Sequence, residues 1–398
     1  MQLGTSDAVT ANKIGFYGKV VVVALEGGDY TDPVPAMDNY PAWCGTPSDT
    51  TPCLLKIMPG VYHVGSNCVR MQSYIDIEDS GENTTVIIGN GNSPAVVWGA
   101  DHTEIRFLKV ESTGGGSDSI AIANDGASPK ITNVTAYATG GSNRNVGINN
   151  HSSSSPIISG VSASASGGSY SYGVNNELSS SPAMMNVSAG GENGGLENYG
   201  VSNSSSSSPT MANVMASATG GSGSTNRGVG NNSSSPFMSG MTATASGGNL
   251  SVGVENVSSS PFMSNVNANA WGADTNIGVG NDKSSSPDMT NVIAGANGGT
   301  MSIGVRNTAS SPSMNYVRAV AKKGTKTNIG VYNGTSGTVK IDHSVIIGAI
   351  RTIYNDTGVT TRVGNTKLDG KAKYNKGTLT CAGVYDENYT FYAGPDCP

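Results

Sequence analysis

Glu255 and Arg306 are two charged side chains at a fixed position of a recurring G-V-x-N motif, where other copies carry Ala123, Asn149, Asn175, Ser202, Gly230, Gly280 and Tyr332. Paired carboxylates at such a position would serve glycoside hydrolysis, and carboxylates holding calcium beside an Arg or Lys base would serve polysaccharide elimination. Glu255 and Arg306 lie two motif copies apart, roughly 10 Å at ordinary strand spacing, and form no constellation by themselves. Asp274, Asp282, Lys283 and Asp288 lie in nearby loops, and with Glu255 they make either a small acidic patch or a solvated charged fringe. Other loops carry Arg144, Tyr170, Tyr172, Tyr199, Arg227, Trp271, Lys323 and Lys326, side chains that suit recognition, the aromatic rings by stacking on sugar faces. Tyr172 and Tyr199 sit two before an apolar Val, so they are also candidates for the core. The side chains put forward for ligand contact are Arg144, Tyr170, Trp271, Glu255, Arg306 and Tyr332.

The elements that position these residues come from a unit of 25 to 28 residues, written about nine times between Ile120 and Thr338. It reads G-V-x-N, a Ser-rich bend ending in S-P, then x-M-x-N-V-x-A-x-A-x-G-G. Its apolar slot is Ile122, Ile148, Val174, Val201, Val229, Val254, Val279, Val305 and Val331, and its proline is Pro129, Pro156, Pro182, Pro209, Pro236, Pro261, Pro287 and Pro312. Such a period marks a solenoid whose units bury apolar faces only by stacking. Within one unit, Met184 and Asn186 share a face by period two, yet the next apolar residue, Val187, breaks the period, which requires a bend. The bend slot is Asn133, Gly160, Asn186, Asn213, Gly240, Asn265 and Asn291, and Asn and Gly are the residues that tolerate positive φ. Three short strands and three bends per unit predict one coil of an all-β, single-stranded parallel β-helix.

Inside that coil, Met184, Met211, Met238, Met263, Met289 and Met314 are predicted to stack as apolar fill. Asn124, Asn150, Asn176, Asn203, Asn231, Asn256, Asn281, Asn307 and Asn333 close the third strand, and a buried amide column needs hydrogen bonds along the axis, so these read as structural. His343 falls in the bend slot and reads as a turn residue; His63 and His102 read as cap residues. Gly147, Gly173, Gly200, Gly228, Gly253, Gly278, Gly304 and Gly330 precede the inward Val and are predicted to face outward as a bare strip for a flat partner, or else to serve a bulge. A hydroxyl-rich face at Thr135, Thr139, Ser162, Ser164, Ser166, Thr242, Thr244 and Ser246 has the regularity of an ice-binding array, but Glu192, Trp271, Arg318 and Lys322 interrupt it.

Composition sets outer bounds. Charged residues are 13%, the net charge is −6, and the 22 Lys and Arg are scattered, so no footprint for nucleic acid is present. No apolar run reaches the length of a membrane span. MQLGTSDAVTANK lacks the basic and apolar regions of a signal peptide. Cys44 and Cys53 are placed to close a short loop and Cys381 and Cys397 to staple the tail, with Cys68 left over; spacing alone does not fix pairing, and five reduced thiols is the alternative. Disulfides would place the chain outside the cytoplasm. No metal or cofactor is expected, since no Cys/His spacing suits zinc and no glycine-rich phosphate cradle is present. The expected organisation is an N-terminal cap and first coil over 1–70, a β-helix over 71–348 and a C-terminal cap over 349–398.

VVVALEGGDYTDPVPAMDN over 21–39, LLKIMPGVYHV over 54–64 and YIDIEDSGENTTVII over 74–88 resemble the right-handed parallel β-helix superfamily that includes pectate lyases and pectin methylesterases. The serine-proline rungs and TCAGVYDENYTFY from Thr380 resemble bacterial secreted or surface β-helix repeat proteins. The resemblance implies a right-handed coil, but the aspartate and arginine motifs of the esterase branch are not found after the opening. The functional expectation is therefore a non-catalytic extracellular or cell-surface structural or adhesive module that contacts polysaccharide or other protomers. The alternative is a polysaccharide lyase or glycoside hydrolase of the pectin-lyase-like class.

Overall fold

A computed structural model describes residues 17–81, 84–90, 95–370 and 373–398. The opening segment read for a signal peptide lies outside the described residues. The chain is all-β, a right-handed parallel β-helix of about 12 turns. One coil shows how the sequence produces it. Thr210–Ala212 is a short strand, Asn213 turns the chain at φ 53°, Met215–Gly220 follows, and Thr225–Asn232 closes the coil before the serine bend. Met211, Val214, Ala216, Ala218 and Val229 all point inside and are buried. The next coil repeats this in parallel register, with Met211 opposite Met238, Ala216 opposite Ala243 and Val229 opposite Val254.

The period break in the sequence is this corner. Every bend slot has positive φ, from 50° at Asn133 to 64° at Gly160, and the slot continues through Phe107, Tyr316, His343 and Asn365. His343 is thus a turn residue, its ring Nδ1 lying 3.2 Å from Asp342 Oδ2. Placing two inward residues on either side of a left-handed residue turns the strand without losing a core position.

Two ladders satisfy the polar atoms left inside the wall. Each Asn from Asn124 to Asn307 donates its Nδ2 to the Oδ1 of the next, at 2.7–2.8 Å, and Asn333 ends the run by donating to Thr361 Oγ1 at 3.0 Å. At the serine bend, Oγ of one coil accepts the backbone N–H of a neighbouring coil, as in Ser180 N to Ser207 Oγ (3.0 Å) and Ser235 N to Ser208 Oγ (2.9 Å). The Ser runs are therefore ordered by the stack. Asn203→Ala should lower unfolding free energy by about 2–4 kcal/mol, since it leaves the Asn176 and Asn231 amides without partners in a dry wall. Urea unfolding of the purified variant measures this, and a loss under about 0.5 kcal/mol would contradict it.

Of the two readings of the glycine column, the structure takes the bulge and not the outward strip. Gly173 lies between inward Ser171 and inward Val174, so Gly and Val both turn inside as a bulge, while Tyr172 and Asn175 face out. A Cβ on Gly173 would stand 2.4 Å from the backbone N of Gly190, one on Gly200 2.5 Å from that of Ser217, and one on Gly228 2.6 Å from that of Thr244. The first strands of successive coils, such as Thr210–Ala212, stack into a first ribbon and the second strands, such as Met215–Gly220, into a second, and the glycine column is buried against the backbone of the second ribbon. The same close approach explains why Ala163, Ala189, Ala216, Ala243 and Ala268, on that facing ribbon, are alanines.

At the N-terminal end a short helix, Pro33–Asp38, packs Val34, Ala36 and Met37 against the first coils, and its N-cap Asp32 accepts the N–H of Val34 at 2.8 Å. Cys44–Cys53 and Cys381–Cys397 are disulfides, and Cys68 is buried outside both. The parallel stack ends at an antiparallel pair, Val384–Tyr385 with Phe391–Tyr392. Among the described residues no helix is long and apolar enough to cross a membrane.

Candidate functional site

The third strand of each coil, such as Arg144–His151 or Thr225–Asn232, joins one parallel sheet whose outer face is open to solvent. In-register stacking turns each outward slot into a column with ~4.8 Å between residues. One column runs Trp98, Ala123, Asn149, Asn175, Ser202, Gly230, Glu255, Gly280, Arg306, Tyr332, Tyr354 and Tyr374. The next runs Ile120, Val146, Tyr172, Tyr199, Arg227, Val252, Ile277, Ile303 and Ile329. Functional side chains on this face come from different coils, and the repeat holds them at fixed spacing.

Arg227 organises the middle of the face. Its Nη1 lies 3.0 Å from Glu197 Oε1, its Nε donates to Glu255 Oε2, and its Nη1 donates to the Tyr199 hydroxyl at 2.9 Å. Tyr199 in turn donates to Glu197 Oε2 at 3.1 Å, and the guanidinium sits over its ring at 5.1 Å. Arg306 pairs with Asp282 and reaches Glu255 Oε1 at 3.7 Å. On the other side Arg144 lies 3.2 Å from Asp118 Oδ2 and 3.4 Å from Glu177 Oε1. Tyr170, Tyr172 and Tyr199 stack with centroid spacings of 6.5 and 5.2 Å. Arg144, Glu177, Tyr172, Tyr199, Glu197 and Arg227 surround a depression of about 370 Å³ floored by Asn175, Ser202 and Gly230, and Glu255 at its edge is only 8% exposed.

Burial, reinforced by the Glu197 carboxylate, pushes the Tyr172 phenol up to about 12. Tyr199 is driven further in the same direction by burial, against Arg227 and with Glu197. Both rings are therefore neutral hydrogen-bond donors at ordinary pH and not proton-abstracting bases.

The face gathers Arg144, Tyr170, Glu255, Arg306 and Tyr332, while Trp271 lies elsewhere. Trp271 ends Phe262–Trp271 in the second ribbon, opposite Ser246 and Asn297, and is 43% exposed. Tyr332 stacks on Tyr354 at 4.8 Å and borders a second, more apolar cavity of about 450 Å³ with Met301, Ile303 and Ile329. Arg306 lines this cavity too and so joins it to the charged depression. Tyr172 and Tyr199 face outward, half-buried, and do not enter the solenoid core. The 10 Å expected between Glu255 and Arg306 overlooks the reach of a guanidinium across an intervening coil whose slot is Gly280. Glu177 and Glu197 were not singled out from sequence. Glu197 was findable, since it stands four before Val201 as Tyr170 stands four before Val174 and Arg144 four before Ile148.

A second ionic cluster lies on the outer face of the first ribbon. Arg106 meets Glu78, Glu104 at 2.9 Å and Asp76 at 3.4 Å, Tyr17 accepts from its Nη2 at 3.0 Å, Lys130 holds Glu104 at 2.9 Å and Lys56 holds Glu78 at 3.1 Å. Three carboxylates face three cations, and Arg106 is 3% exposed. Burial would raise the Glu78 carboxyl, but Arg106 and Lys56 outweigh it and hold it low. The group is neutral and closed, so it reads as a seal on the first coils. Among the described residues no three His, Cys, Asp or Glu side chains group to hold a metal ion.

No protein-family model matches the chain, and no curated protein matches it. Among solved structures, the Dettilon tailspike protein is similar over 93% of this chain and 73% of that one, at 10% identity and TM-score 0.50. The A-module of a mannuronan C-5 epimerase from Azotobacter vinelandii is similar over 87% and 91%, at 14% identity and TM-score 0.46. The catalytic unit of a GH87 α-1,3-glucanase from Streptomyces thermodiastaticus is similar over 91% and 69%, at 12% identity and TM-score 0.47. At these identities the likeness is one of fold. The expectation of a non-catalytic structural or adhesive module is corrected. A depression lined by carboxylates, arginines and tyrosines stands on the outer face of the third-strand sheet, where no acidic constellation was expected.

Proposed function

We propose that this protein is an extracellular glycoside hydrolase that cleaves a neutral polysaccharide on the outer face of the third-strand sheet, with Glu197 and Glu255 as its acid/base pair. The observation that carries the reading is the pair of carboxylates gripped from two sides by Arg227 beside a stacked tyrosine platform. Arg227 holds one carboxylate at Nη1 and the other at Nε, and the pair is assigned an inverting mechanism in which water enters beside Glu255. Glu255, paired with Arg227 and Arg306, is the base that activates the water. Glu197 is the more exposed of the two, its side chain 32% accessible, and is the proposed acid, taking a proton from solvent before turnover and passing it to the leaving glycosidic oxygen. The depression is lined by three carboxylates, Glu177, Glu197 and Glu255, against two guanidiniums, Arg144 and Arg227, a balance that repels uronate chains and favours neutral sugars.

The apolar cavity at Met301, Ile303, Ile329 and Tyr332 continues the face and would take the C–H faces of further sugars. The two disulfides support an oxidising, extracellular setting. Among the described residues, 17–70 are assigned to the N-terminal cap and first coil, and 349–398 to the C-terminal end, whose last coils close on the antiparallel pair.

Screening the purified protein against neutral and acidic polysaccharides tests the reading. Release of reducing ends from a neutral glucan, mannan or xylan, with inverted anomers by NMR, is the expected result. Formation of unsaturated uronate products, or no cleavage of any neutral polymer, would overturn it.

A further inference from the structure

We infer that a second glycan-binding site, one that holds an acidic polysaccharide without cleaving it, lies on the outer face of the first ribbon toward the C-terminal end. The concavity there, about 790 Å³, is bordered by Asn315, Lys340, Asp342, Arg362, Asn365 and Thr380. Lys340 and Arg362 are direct register partners in adjacent coils, so two cations stand side by side in one column. Among the described residues neither has an ion-pair partner, whereas Arg106, Arg144, Arg227 and Arg306 each have one. Like charges directly opposite across neighbouring strands destabilise a sheet, and a bound anion would relieve that repulsion. Asp342 does not relieve it, because its Oδ1 accepts from His343 N and Asn365 Nδ2 and its Oδ2 faces the His343 ring.

Three further features point to a sugar and not a bare anion. The side chains stop at Gly364, Ala382 and Gly383, which leaves a shelf across two successive coils wide enough for sugar rings to lie flat. The Asn315 amide oxygen in this groove is buried and accepts no hydrogen bond, so a ligand hydroxyl can reach it as donor. Tyr316, next along the chain, is 56% exposed and braced at 5.2 Å by His343, a ring on which a pyranose can stack. A glycan bearing one carboxylate per sugar supplies all three interactions. The net charge of −6 and the scattered basic residues argue against a nucleic acid in the same groove.

This site shares no residue with the depression around Arg227, so it can be tested whether or not the protein cleaves glycans. Affinity electrophoresis in polygalacturonate gels, with a neutral glucan gel and single-stranded DNA as the other arms, is the measurement. Retardation in polygalacturonate that falls at least tenfold in affinity in the Lys340→Gln/Arg362→Gln double variant, and several-fold in Asn315→Ala, is the expected result. The substituted cations are exposed, so an unchanged melting temperature should accompany the loss. No retardation of the native protein by polygalacturonate, retention undiminished in the double variant, or equal retention by DNA would overturn the proposal.

Discussion

Glu255→Gln should lower turnover of the cleaved neutral glycan by roughly 10²–10⁴-fold, with KM changed little. Glutamine keeps the volume and an oxygen for Arg227 or Arg306, but it cannot take a proton from water. The two guanidiniums then face each other with less charge between them, so the variant's melting temperature must be read alongside its rate. Glu197→Gln should cost a similar factor, and the double variant little more than either alone, because both groups serve one step. A Glu255→Gln enzyme retaining activity within a few-fold of the native protein would remove this residue from the mechanism. Should turnover vanish together with folding, Glu255→Asp separates the cases, since it restores the charge at a shorter reach and should recover part of the rate.

Gly228→Val should abolish folding or cost more than about 3 kcal/mol, the upper end of what overpacking does in a close-packed interior. The first added atom would stand 2.6 Å from Thr244 N and 2.7 Å from Gly253 O, both backbone atoms of neighbouring strands that cannot move alone. In a solenoid the displaced coil disturbs its two neighbours, so the loss should be shared by the whole array. Gly221→Ala is the comparison, because that glycine is exposed in a loop with open space around it. It should shift the urea midpoint by less than about 0.5 kcal/mol equivalent. Native-like stability of Gly228→Val would mean that the glycine column faces solvent after all.

The repeat made the coil's cross-section legible because each of its demands is local. A one-residue phase slip filled by Asn or Gly at Asn186 or Gly240 can only be a left-handed corner, and both sit at φ near 60°. The recurring Asn at Asn203 and its equivalents needs like amides above and below, and it finds them. The direction of the glycines was less legible. Alternation puts Gly173 outside when Val174 is inside unless a bulge intervenes, and the structure takes the bulge, with both residues turned inward. Charged residues were harder still. Glu255 and Arg306 were visible as isolated letters, and Glu197 shares the column of Tyr170 and Arg144, but nothing in that spacing says that Arg227 reaches it.

That the chain winds into a stacked parallel coil, where it turns and what fills its interior are written in the repeat, because backbone preference and core volume are set residue by residue and then copied. Tertiary structure alone decided that Arg227 would join Glu197 to Glu255 and that Trp271 would stand apart from them. Neighbours in this fold are about one repeat of 25 to 28 residues apart in the chain. Which side chains meet depends on exact register, on the bulge before each Val and on how far a guanidinium reaches across a coil.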